Sequence, residues 1–244
     1  MAFPFGRLLH IDMGLWYTSC RVAKGARRRK SQVVMAEKGI YKEIEAHAKP
    51  YLDTRCNEIH VSVCYAMAER LLSLYPEADP EVVLPAILLH DVGWKMVPEE
   101  KQHTAFGTRA NDLETRRIHE IEGVAIARRI LASLGYDRGK TEEILFIIEG
   151  HDSREEALSL NDAIVKDADK LWRFSQVGLE TNLRRFDVDR ASYVRWLKRV
   201  IGWLFTSAAR DLAYRGLADA GAPAVDETDD LDPLGDERGL PRND

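Results

Sequence analysis

The chain has 244 residues, room for one large domain or two small ones, and 45% of them are apolar, enough for a real core. The formal net charge of -5 argues against coating nucleic acid or lying on an anionic membrane, since both want a basic excess. Cys20, Cys56 and Cys64 form no CxxC pair, and Cys56 and Cys64 would stand about two turns apart on one helix, too far to bridge, so no disulfide framework is expected and a reducing, cytoplasmic setting is.

Residues 1–34 carry Arg27-Arg28-Arg29-Lys30 and no sustained helical period. They are expected to be a disordered basic arm, or sequence lying upstream of a start at Met35. From 35 to 215 the pattern is helical, opening with a short helix near Glu43. Between Glu58 and Leu74 the stripe Ile59, Val63, Met67, Leu71 and Leu74 repeats at helical spacing. Pro80 to Leu89 is apolar almost all round and predicts a buried helix, with Gly93 as its stop. His119 to Leu134 is predicted as the next helix, with Ile121, Val124, Ile130 and Leu131 inward and Gly135 at its end. Thr141 is the expected cap of Glu142–Glu149, which Gly150 closes. Two further helices are predicted, Asp162 to Ser175 and Ser192 to Tyr214. No alternating Val/Ile/Thr run suggests a strand, and no apolar run nears the ~18 residues of a membrane span. The expected fold is therefore an all-α bundle. Residues 216–244, with the acidic run Asp226 to Asp232, have the composition of a disordered tail.

Chemistry concentrates in four of the seven histidines: His60, His90, His119 and His151, each beside an apolar stripe. Imidazole and carboxylate together suit iron, manganese and related divalent ions, whereas the cysteines are badly placed for a thiolate-rich zinc site. His90-Asp91 closes the apolar segment Leu84-Pro85-Ala86-Ile87-Leu88-Leu89, where burying both groups is costly unless they are paired or hold a metal. Near the end of the helical region Asp167 and Asp169 flank the stripe Ile164, Val165, Ala168 and Leu171 on opposite sides, and either could face a site. His10, His47 and His103 lack spacing partners and are expected at the surface, while Trp94 and Trp172 are expected to pack.

Taken in order, His60, His90-Asp91 within Leu-Leu-His-Asp-Val-Gly, His119-Glu120-Ile121-Glu122-Gly123 and the Ala168-Asp169-Lys170 segment resemble the HD-domain superfamily of metal-dependent phosphohydrolases. The resemblance covers about Arg55 to Ser175. It implies an all-α, HD-domain-like bundle over 35–215, and it selects Asp169 over Asp167. It further implies one divalent metal ion (Mn, Fe, Co or Mg) on His60, His90, Asp91 and Asp169, a second on His119 and His151, and Asp91 shared between them. His90 and Asp91 would then be central to metal-assisted hydrolysis of a nucleotide or other small phosphate ester. Trp94 stands where many of these enzymes carry a lysine after the glycine of His-Asp-x-Gly. Lys95, Arg116, Arg117 and Arg154 are the candidate replacements for contact with the phosphate. Two other readings remain open at the level of sequence: an HD-type di-iron oxygenase of a small polar substrate, and a non-catalytic module binding a nucleotide or a protein partner.

Overall fold

A computed structural model describes residues 27–102 and 113–221, with side chains from residue 39 onward. Ten α-helices and two 3-10 turns account for its secondary structure, and the described residues include no strand. The chain divides into two units after Glu37, and the helices around the core belong to the second. The expected N-terminal arm up to residue 26 and the acidic tail from residue 222 lie outside the described residues, as do His10, Cys20 and His103.

α1 (Arg27–Leu52) starts inside the segment read as irregular, and is far longer than the short helix expected near Glu43. Tyr41, Ile44, Ala48 and Leu52 form its buried stripe. α2 (Asn57–Leu72) follows a tight reversal in which Arg55 and Cys56 both take left-handed backbone. Its inward face is His60, Cys64, Ala68 and Leu71, while Ile59 from the predicted stripe is half exposed. Before Leu71, which the stripe and the buried face share, the face is turned by one residue, with His60, Cys64 and Ala68 buried in place of Ile59, Val63 and Met67.

α3 (Pro80–Leu89) is the central helix, buried from Val82 to Leu89 and packed against α2, α6 and α7. Asp79 caps it by accepting the Glu81 amide, with Pro80 fixed in the first turn. Each large aliphatic side chain removed from water here stabilises the fold by about 1.5–3 kcal/mol, which makes α3 a rigid base for the pair at its end. Gly93 does not stop this helix but sits inside the following 3-10 turn, Val92–Met96. A Cβ there would stand 1.8 Å from the His119 carbonyl oxygen, so only glycine lets the turn reach the next long helix.

After the short α4 (Glu99–Gln102), α5 (Leu113–Ser133) begins six residues before the predicted start, which puts His119 in mid-helix. α6 (Arg138–Glu149) is capped by Asp137, which accepts the Lys140 amide, and not by Thr141. α7 (Leu160–Leu171) starts from the Ser159 cap and runs into the second 3-10 turn, Trp172–Phe174. α8 (Gln176–Phe186) was not foreseen, because its polar composition and Gly178 hide it.

The single helix predicted from Ser192 to Tyr214 is two, α9 (Arg190–Ile201) and α10 (Ser207–Asp219). Two groups force the break. Thr206 caps α10 on the Ala209 amide, and the Asp167 carboxylate takes the Phe205 amide together with the Thr206 amide and hydroxyl. No helix among the described residues is long and apolar enough to cross a membrane.

Candidate metal centre

Four helices and the segment after α6 bring the six predicted ligands together. His60 comes from the first turn of α2, His90 and Asp91 from the end of α3, His119 from α5, His151 from just beyond α6, and Asp169 from α7. All six are at least nine-tenths buried. On one side, His60 Nε2 lies 3.2 Å from Asp169 Oδ1, 3.3 Å from Asp91 Oδ2 and 3.0 Å from His90 Nε2. On the other, His119 Nε2 lies 3.3 Å from His151 Nε2, and His151 Nε2 lies 3.7 Å from Asp91 Oδ1. The two oxygens of one carboxylate thus face different histidine sets.

Two of the rings are oriented from behind. His90 Nδ1 donates to the Ile87 carbonyl and His151 Nδ1 to that of Ile148, both at 2.8 Å. This fixes the orientation of each ring and turns its Nε2 inward. Trp94 does similar work from the side. Its Nε1 donates to Asp91 Oδ1 at 3.0 Å, and its ring stacks on His119 with centroids 4.1 Å apart. The guanidinium of Arg55 also lies over this indole, 4.1 Å from its ring centre.

Burial opposes charge on Asp91, yet His90, His151, His60 and His119 together hold its carboxyl well below the usual carboxylate range. Asp169 is likewise held down against burial, by Arg173 first and then by His60 and His90. Burial would lower His151, but contact with Asp91 and the charges of Asp152 and Glu120 push it up to about 10. His119 goes the other way, down to about 3, through burial and the neighbouring His151. Ionised carboxylates interleaved with inward imidazole nitrogens are the donor set of a divalent cation, for which protons on the same atoms compete. The donor atoms of His60, Cys64, His90 and Asp169, of His90, Asp91 and His151, and of His119, His151 and Asp152 lie within 4.8 Å of one another in each group, so the residues present fit a metal site.

Two members of those groups escaped the sequence reading. Cys64, buried, has Sγ 3.6 Å from both ring nitrogens of His60. Its place four residues after His60 on one helix was the available signal. Asp152 puts Oδ2 3.5 Å from His119 Nε2, and its signal was the second His-Asp dipeptide. Asp167, the alternative to Asp169, faces away from the centre and serves the α9–α10 break.

The four basic candidates part company. Arg116 and Arg154 line a cavity of about 570 Å³ that opens onto His60, Asp91, His151 and Asp169. Arg154 also pairs with Asp162 and donates to the Phe146 carbonyl. Lys95 lies away from the cavity, in an exposed ion pair with Asp53, and Arg117 is held by Glu120 and Glu149. Trp94, Trp172, Arg55, Arg173 and Arg185 also line the cavity; of these, only the two tryptophans were singled out from sequence, as packing residues. Arg173, one turn after Asp169, pairs with its carboxylate.

Comparison with known proteins agrees with this geometry. No curated protein and no solved structure matches the chain. The family model described as HD domain matches residues 59–173, a segment that begins just before His60, ends just after Asp169 and contains every one of the six clustered residues. Residues 59–173 thus match the HD domain, and the buried His/Asp cluster within them is consistent with that domain's metal site.

Proposed function

We propose that the chain is a metal-dependent phosphohydrolase acting on a nucleotide or another small phosphate ester, with two divalent ions sharing Asp91. The observation that carries this reading is the division of Asp91: Oδ2 turns to His60 and His90 while Oδ1 turns to His151. His60, His90 and Asp169 would complete one position, and His119 and His151 the other, with Cys64 and Asp152 in reach of each respectively. Bound divalent ions supply Lewis acidity and make hydroxide available from water near neutral pH.

The chain's own groups orient and bind. Trp94 fixes the Asp91 carboxylate and the His119 ring at once, so neither ligand rotates as the substrate arrives. Arg116, on the cavity wall, would meet charge on the reacting ester.

The test is phosphate release under strict anaerobiosis by the manganese-loaded full chain across a panel of phosphate monoesters and nucleotides. Release that stops in Asp91→Ala is the expected result. No release from any ester, together with oxygen uptake by the iron-loaded chain, would replace this reading with a di-iron oxygenase.

A further inference from the structure

Part of the wall of the cavity is built from residues that follow the matched segment. Arg185 comes from α8, and Tyr193 and Trp196 from α9. Everything they offer is a donor. Trp196 is 8% exposed, and its indole N–H has no partner among the described residues. Tyr193 is fully buried and its hydroxyl accepts a 2.7 Å hydrogen bond from Asn182 Nδ2, which leaves the phenol proton to be donated. Arg185 donates to the backbone carbonyl of Arg55, and no carboxylate among the described residues lies within ion-pair distance of it.

Positive charge is gathered in the same place. Burial lowers Arg185, and Arg173 lowers it further, although Cys56 and Asp91 pull the other way. Arg55 falls to about 10 through burial and the nearness of Arg185. Bringing guanidinium groups together in a partly buried wall costs free energy that an anion would offset. Asp169 is the carboxylate that answers Arg173, and the metal centre makes its own demand on it. Beside the donors lie ring surfaces, with Trp196 packed edge-on against Trp203 at 6.0 Å.

We propose that Arg185, Tyr193 and Trp196 form a second anion subsite, so that the substrate carries two anionic groups, one at the metal centre and one held by this wall. The inference rests on the phosphohydrolase reading for the first group alone. Its chemistry is that of an acceptor-rich oxyanion, phosphate or carboxylate, on a body that can lie against the tryptophan rings. These residues lie beyond residues 59–173, outside the segment that the HD family model matches.

Calorimetric titration of the full metal-loaded chain tests it, with propyl phosphate set against a series of linear diol bisphosphates of two to six carbons. Carboxyalkyl phosphates of the same lengths show which oxyanion the wall prefers. At least one two-headed ligand should bind about tenfold or more tighter than propyl phosphate, the size of one charge-assisted hydrogen bond. Arg185→Gln should remove most of that preference while propyl phosphate stays within about twofold, since its one group would meet the metals. Trp196→Phe keeps a ring and removes the N–H, and should cost the two-headed ligand about twofold to tenfold. If Arg185→Gln fails to fold, Trp196→Phe decides. No preference in the wild type, a preference untouched by the variants, or parallel loss of both ligand types would overturn the subsite. Asp91→Ala separates the two ideas. If two-headed binding depends on Arg185 but is unchanged by loss of Asp91, the subsite stands and the phosphohydrolase reading falls.

Discussion

Trp94 occupies the place of an expected phosphate-binding lysine and does a different job. It donates to Asp91, stacks on His119 and carries the Arg55 guanidinium over its ring. Trp94→Phe would keep the stacking and delete the hydrogen bond. Metal affinity should fall about 10- to 100-fold, as for other groups that orient ligands from behind, with the melting temperature nearly unchanged. Competition against a chelating dye measures it, and wild-type affinity would show that Asp91 needs no such partner. The convergence of His60, His90, Asp91, His119 and His151 was legible because their spacing repeats a known pattern, and that of Asp169 because a family preference broke a tie that helical geometry left open. Arg185, Tyr193 and Trp196 were not legible, since nothing local in sequence says that α8 and α9 line the same cavity as His60 and Asp91.

Elements carry the site through a few close approaches. The turn holding Gly93 touches the backbone of α5 at His119, and a Cβ would have to displace one or the other. Gly93→Ala should therefore destabilise the fold by about 2–3 kcal/mol or more in urea unfolding and also weaken metal binding, because His119 moves with its helix. Unchanged stability would mean that the turn and α5 are not held this closely. The adjacent aspartates of α7 offer a sharper contrast. Asp167→Ala removes the acceptor for Phe205 and Thr206 and should cost about 1–3 kcal/mol of stability while leaving metal content intact. Asp169→Ala should do the reverse to metal content. Helix periodicity located most of these elements, but it placed the inward face of α2 one residue off and fused α9 with α10. Both errors come from tertiary contacts that propensity does not see: the packing of His60 and Cys64 against α3 and α7, and the clasp of Asp167.

At the scale of the whole molecule, the central apolar helix α3 ends in the His-Asp pair, and other helices deliver one or two donors each to the same point. Such a centre links metal binding to folding, because the donors converge in the native state and not in the unfolded chain. The central claim is that Asp91 is shared by two metal positions. Counting metal per folded chain by mass spectrometry, for proteins loaded with manganese and confirmed helical by circular dichroism, tests it most directly. The account predicts two equivalents in the wild type, one in His151→Ala and none in Asp91→Ala. Asp91→Ala retaining the wild-type count, or His151→Ala losing nothing, would contradict it.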